Sequence, residues 1–297
     1  MKLGYLPPMT KGFTTNPDYV TPLVEMLEAV GVESVWAVEH VIMARDYEPL
    51  YPYSADGRAP TAPDTLMPDP LEWLAFVAAR TESLRLGTSV VIASQHNAVV
   101  LAKRVATLDA LSAGRVRLGV GIGWQREEYE AVGIPYRDRG RRLDECIDAM
   151  RVLWAEDSAS FHGRHFDFEA VHLDTKPARP EGVPILIGGS SEHAARRAGR
   201  RGDGFYPYVI SPEDYAARIE DLRVAAREVG RDPDRIELSV WPGSYDFTRT
   251  FDVELVREYR DLGIARVVVS CGEAQTLDIA KQRDFLRRYQ DDILARL

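Results

Sequence analysis

The sequence predicts an α/β protein, a closed (β/α)8 barrel of the TIM type with insertions after the second and fourth strands and a hairpin after the fourth helix. Three observations carry this. Short β-branched runs alternate with longer amphipathic segments. Eight such pairs can be traced from one end of the chain to the other. The length of 297 residues suits a barrel of roughly 250 residues with room for insertions. An open, doubly wound sheet is the alternative reading of the same alternation.

Lys2–Leu6 reads as the first strand. Asp18–Val30 follows as a helix, with Val20, Leu23, Val24, Leu27 and Val30 at helical spacing and Gly31 as its stop. Ser34–Val38 is the second strand; Leu71–Thr81, Arg85–Ile92, Val99–Ser112, Arg115–Gly121 and Arg139–Trp154 continue the alternation as helix, strand, helix, strand, helix. The remaining four pairs run through Pro184–Gly188, Glu192–Arg200, Gly204–Tyr206, Pro212–Val229, Ile236–Trp241, Asp252–Leu262, Ala265–Ser270 and Thr276–Leu294. Phe161–Phe168, around His162-Gly163-Arg164-His165, reads as the hairpin. Two connections exceed ordinary βα length, His40–Asp69 and Gly123–Asp138, and both are expected at the carboxyl face of the barrel. The first carries Tyr47, Tyr51, Tyr53 and Met67 among prolines, a composition suited to an ordered lid or pocket wall. No Pro/Ser-rich linker divides the chain, so residues 1–297 are expected to form a single domain.

Charge and composition exclude several functions. The net charge of −9 is a poor footprint for binding nucleic acid or an anionic membrane. The longest uncharged stretch, Leu86 to Ala102, is interrupted by Thr88, Ser89, Ser94, Gln95, His96 and Asn97 and is too polar to span a bilayer. Two cysteines, Cys146 and Cys271, cannot build a disulfide framework or a four-thiolate zinc site. The amino terminus enters a strand directly, without the apolar run of a secretory signal, and a cytoplasmic location is expected. The chain contains no His-x-Glu-x-His, His-x-His or Cys-x-x-Cys, so no dedicated metal centre is expected.

In a (β/α)8 barrel the active site forms where the strands end. Glu39-His40 stands at the end of the second strand, where an imidazole that titrates near neutrality serves as proton donor, acceptor or hydrogen-bond partner. Ile185-Leu-Ile-Gly188-Gly189-Ser190-Ser191 is an apolar strand opening into a helix through glycines and serines, suited to an anion at the free amides of the first helical turn; an ordinary tight βα turn with a serine cap explains the same residues. Gly119-Val-Gly121-Ile-Gly123 lacks the final glycine of a dinucleotide fingerprint, because position 124 is Trp. Cys271 reads as a small buried residue, and Arg137, Arg139, Arg141 and Arg142 as a solvated helix start.

Leu101-Ala-Lys-Arg-Val-Ala-Thr-Leu-Asp-Ala-Leu-Ser-Ala-Gly-Arg-Val-Arg-Leu-Gly-Val-Gly-Ile-Gly-Trp124, preceded by Ser34-Val-Trp-Ala-Val-Glu-His40 and followed by Pro184-Ile-Leu-Ile-Gly-Gly189 through Gly202-Asp-Gly204, resembles the luciferase-like monooxygenase superfamily. Tyr51-Pro-Tyr-Ser-Ala-Asp-Gly57 resembles its branch of F420-dependent oxidoreductases. The resemblance spans nearly the whole chain and itself implies a (β/α)8 barrel. It implies coenzyme F420, with reduced FMN as the alternative, and hydride transfer between the deazaflavin C5 and a small organic substrate. An FMN-dependent monooxygenase and a non-catalytic coenzyme-binding barrel are the competing functions.

The resemblance places the acidic residue and histidine of the family on Glu39 and His40, the histidine beside the reacting carbon. It carries a cis-peptide bulge behind the deazaflavin ring onto Ser89–Val90 and the phosphate-binding backbone onto Gly188, Gly189, Ser190 and Ser191. Sugar-phosphate dehydrogenases of the family carry a catalytic Glu where this chain has Trp124, with Glu127 and Glu128 following in uncertain register. An apolar wall from Trp124, with Tyr53 as a second substrate contact, points away from a phosphorylated sugar. A homodimer through the second and third predicted helices is the expected assembly.

Overall fold

The computed structural model describes residues 1–60 and 65–297. Its frame is a closed barrel of eight parallel strands. In chain order the elements are β1 (Lys2–Leu6), α1 (Pro17–Ala29), β2 (Ser34–Ala37), α2 (Pro70–Ala78), β3 (Arg85–Thr88), α3 (Ala98–Leu111), β4 (Val116–Val120), α4 (Arg126–Ala131) and α5 (Arg139–Ala155). They continue as β5 (Ala159–His162), β6 (Asp167–Val171), β7 (Ile185–Gly188), α6 (Glu192–Arg201), β8 (Gly204–Tyr206), α7 (Pro212–Glu228), β9 (Glu237–Val240), α8 (Pro242–Tyr245), α9 (Val253–Asp261), β10 (Arg266–Ser270), α10 (Cys271–Ala274) and α11 (Ile279–Asp292). The strands run around the barrel as β1, β10, β9, β8, β7, β4, β3, β2, and β2 pairs with β1 to close it.

Local chemistry sets the helix starts. Asn16 caps α1 by accepting the Asp18 amide at 3.1 Å, with Pro17 as the first helical residue. Asp69 and Asn97 cap α2 and α3 in the same way, and Asp69 also receives the Arg104 guanidinium at 3.0 Å. The outward faces of the strands meet the apolar stripes of these helices, Tyr5, Val35, Leu86, Leu118 and Val267 among them.

The barrel interior holds a second, smaller core of Leu6, Trp36, Leu186, Tyr206 and Val268. Trp36 fills the centre because its neighbours are glycines: a Cβ on Gly4 would lie 2.6 Å from the indole nitrogen, and one on Gly87 2.3 Å from the indole ring. At the amino ends of the strands Arg266, fully buried, bonds Glu33 at 2.9 Å and Glu237 at 2.5 Å, closing that end with a paired charge.

Several predicted boundaries move. The strand expected over Arg85–Ile92 stops at Thr88; the Ser89–Val90 peptide is cis, and beyond it only Val91 bridges to Val120. The chain then turns through a short 3-10 segment, Ala93–Gln95. The hairpin extends beyond Phe161–Phe168, pairing Ala159 with Val171 across a register shift with Ala170 at φ 48°. It stands outside the barrel, since β4 pairs directly with β7. The long connection after β4 contains α4, a helix absent from the sequence expectation. Among the described residues no helix is long and apolar enough to cross a membrane.

Candidate active site

Glu39 and His40 leave the end of β2 in different directions. Glu39 is buried; one carboxylate oxygen accepts the Ile92 amide at 2.6 Å and the other lies 3.0 Å from Nε2 of His96. It thereby ties β2 to the turn after β3. His40 is half-buried, with Nδ1 at 3.0 Å from Oε2 of Glu128, and Oε1 of the same carboxylate accepts the Val41 amide at 2.6 Å. Glu128 has no exposed surface.

Glu128 belongs to a set. Gln125 accepts the Ala44 amide at 3.2 Å, Glu127 accepts the Glu48 amide at 2.8 Å, and Arg126 pairs with Glu48 at 3.1 Å. The start of α4 thus fastens the first leg of the long loop after β2 to the mouth of the barrel. The loop's aromatic residues then lean on one another. Trp124 meets His40 edge-on with ring centroids 5.8 Å apart, Tyr47 at 5.0 Å and Tyr51 at 5.2 Å. Tyr51 meets Tyr53 at 5.5 Å, Tyr53 meets Tyr208 at 5.0 Å, and Tyr208 meets Trp241 at 5.6 Å. Burial raises the phenols of Tyr51, Tyr53 and Tyr208 above their ordinary range, so all three remain neutral hydroxyls at physiological pH.

The opposite side of the mouth is built around Val90. A Cβ on Gly121 or on Gly188 would lie 2.6 Å from a Val90 methyl, so the two glycines open the space that this side chain takes. The Ser89 amide donates to the Ala37 carbonyl at 2.7 Å. After β7, Gly189 adopts φ +96°. Ser190 Oγ donates to the Tyr208 carbonyl, and Ser191 caps α6 by accepting the Ala194 amide at 3.2 Å. The Tyr53 ring packs edge-on against Tyr208, whose carbonyl takes the Ser190 hydroxyl, so the aromatic arc that starts at His40 ends on this loop. The α6 dipole and its first-turn amides favour an anion here, and Arg200 and Arg201 complement the far end of the helix.

The structure therefore joins His40 to Trp124, Trp124 through Tyr51 to Tyr53, and Tyr53 through Tyr208 to Ser190, and sets Val90 against Gly188. Glu39 is turned toward Ile92 and His96. Cys271 is buried and donates its thiol to the Thr276 carbonyl at 3.3 Å. Arg142 is spent on the Ser94 and His96 carbonyls, at 2.8 and 3.3 Å, and Arg139 lies over the Tyr136 ring. The sequence reading did not single out His96, Tyr208, Gln125 or the bond from Glu128 to His40. A glutamate repeatedly close to a glycine turn was visible, but its register was not. Among the described residues no group of three or more His, Cys, Asp or Glu side chains is placed to hold a metal ion.

This mouth stands at the carboxyl end of a (β/α)8 barrel, where enzymes of that fold carry their active sites, and comparison with known proteins gives the family. The family model for luciferase-like monooxygenase matches residues 1–281. The chain belongs to the luciferase-like monooxygenase family of oxidoreductases. It is similar to an uncharacterized protein of Mycobacterium tuberculosis, 30% identical over 91% of this chain and 88% of that protein. It is also similar to an F420-dependent glucose-6-phosphate dehydrogenase of Amycolatopsis mediterranei, 35% identical over 80% of this chain and 68% of that protein. Among solved structures, monooxygenase RslO1 from Streptomyces bottropensis aligns with a TM-score of 0.77 at 20% identity, covering 100% of this chain and 99% of that one. An F420-dependent secondary alcohol dehydrogenase aligns with a TM-score of 0.73 at 19% identity, covering 95% and 97%. These two likenesses bear on the fold.

Proposed function

We propose that the chain is an F420-dependent oxidoreductase that transfers a hydride between the deazaflavin C5 and a small organic substrate at the carboxyl mouth of the barrel. The observation that carries the reading is the line of contacts from Glu128 through His40, Trp124, Tyr51, Tyr53 and Tyr208 to Ser190. It puts a proton-handling group, an apolar wall and an anion-favouring loop on one surface. The similarity to the F420-dependent glucose-6-phosphate dehydrogenase supports the choice of coenzyme.

The residues fit such a group. Gly189, Ser190 and Ser191 offer backbone amides, and Ser191 its hydroxyl hydrogen, to a phosphate at the start of α6, and Val90 offers a flat aliphatic backing. When bound, the coenzyme supplies an obligate hydride carrier, because carbon stands where a flavin has N5. His40 carries or accepts the proton that accompanies the hydride, and Trp124 excludes water from that side. Glu39 holds the end of β2 against the turn after β3. Trp124 stands where sugar-phosphate relatives are expected to have a catalytic carboxylate, and a planar or hydrophobic substrate suits it better than a phosphorylated sugar. The same reading takes residues 1–297 as one cytoplasmic domain that pairs as a homodimer, a use for the exposed Val100 and Leu111 of α3.

The test is a binding titration of the purified protein with F420 and, in parallel, with FMN, followed by fluorescence and calorimetry. Saturable F420 binding with negligible FMN binding is the expected result. Preference for FMN would move the reading to oxygen activation, and binding of neither would leave a barrel without this coenzyme chemistry.

A further inference from the structure

Glu128 faces His40 with a carboxylate whose two oxygens have different obligations. Oε1 accepts the Val41 amide at 2.6 Å, and a backbone N–H can only donate. Oε2 lies 3.0 Å from Nδ1 of His40. A carboxylate only accepts, so Nδ1 must carry a hydrogen. A neutral imidazole with hydrogen on Nδ1 has a lone pair on Nε2. Among the described residues nothing bonds that Nε2, and the ring keeps 15% of its side-chain surface exposed at the mouth beside Trp124.

We propose that Glu128 is a positioning residue that fixes His40 as the Nδ1–H tautomer and so presents Nε2 as a proton acceptor. The tautomer follows from the hydrogen bonds alone, while its catalytic use rests on the hydride-transfer reading above. It sets the direction of proton flow. A substrate hydroxyl gives its proton to Nε2 as its carbon gives up a hydride to the coenzyme, the product being the carbonyl compound. In the reverse direction the imidazolium, stabilised by Glu128, returns that proton to the carbonyl oxygen.

The arrangement makes a specific demand on Glu128→Gln. The Val41 amide claims the new carbonyl oxygen, which turns the amide NH2 toward Nδ1. Nδ1 must then become the acceptor, and the hydrogen moves to Nε2. The substitution barely changes shape and inverts the tautomer.

The experiment is a long-range 15N–1H correlation spectrum of the full chain without coenzyme, labelled with 15N in its histidine rings, recorded where the ring is neutral. Signals are assigned by their loss in His40→Gln. Nδ1 protonated and Nε2 bare in the parent, with the reverse in Glu128→Gln, is the expected result. An Nε2–H tautomer in the parent, a ring that stays doubly protonated wherever the protein is folded, or an unchanged tautomer in Glu128→Gln would overturn the proposal. The parent spectrum decides the first two even if the variant fails to fold. In turnover with F420 and an alcohol, Glu128→Gln should lose about 100-fold or more in kcat with coenzyme affinity within about threefold. Loss of F420 binding in the parent would instead count against the coenzyme reading and leave the tautomer result standing.

Discussion

Glu39 and His40 are adjacent in sequence, yet their side chains serve different parts of the molecule: Glu39 is bonded to the Ile92 amide and His96, His40 to Glu128. One is a strut between β2 and the turn after β3, and the other is presented to the mouth. Their substitutions should separate accordingly.

His40→Ala removes the proton-handling group and leaves the Ser190 loop untouched. Turnover is expected to fall by about 10²–10⁴ with F420 affinity nearly unchanged. Steady-state kinetics beside a coenzyme titration checks this, and wild-type kcat in the variant would remove His40 from the chemistry.

Glu39→Ala leaves the Ile92 amide and the His96 ring without their acceptor. The expected cost is about 1–3 kcal/mol of stability, read from the denaturant midpoint. A variant as stable as the parent would show that the strut carries no load.

Gly188→Ala tests the glycine space around Val90. The added methyl would meet a stiff, β-branched side chain at 2.6 Å. Destabilisation of about 1–3 kcal/mol is expected, together with weaker coenzyme binding. Gly272→Ala, whose added methyl would meet only ordinary contacts at 3.4 Å and beyond, controls for the loss of backbone freedom alone.

Acid should attack the closed end of the barrel. Burial alone would raise the carboxyl pKa of Glu33 and Glu237, but the Arg266 guanidinium, aided by Lys2, outweighs it and holds both below the ordinary range. A depressed carboxyl contributes stability that is fully present above its unfolded value, about 4.3 for Glu, and is lost as pH falls through the lower folded values. Arg266→Met should cost about 3–5 kcal/mol near neutrality and flatten that acid limb. Denaturant midpoints measured from pH 7 down to pH 3 check both statements.

Much of this molecule was legible because barrel strands obey a simple alternation. Lys2–Leu6 and Gly204–Tyr206 fall where β-branched and aromatic spacing put them. Strand three was overextended because Val90, Val91 and Ile92 look like strand, whereas their space is decided by Gly121 and Gly188, far away in sequence. The same limit hid the partner of His40. Glu128 is 88 positions away, on a helix of six residues that periodicity could not register. Arg266 opens a valine-rich strand, and its role shows only where Glu33 and Glu237 close around it.

Hydride transfer at a deazaflavin moves one hydrogen from a known carbon, and deuterium follows it. Reduced F420 carrying deuterium at C5 would be incubated with the protein and a panel of small ketones and aldehydes, with products analysed by mass spectrometry and oxygen uptake recorded. One deuterium on the former carbonyl carbon, with no oxygen consumed in step with product, is the expected result. Oxygen uptake matching an unlabelled, oxygenated product, or no turnover of any carbonyl despite bound coenzyme, would contradict it.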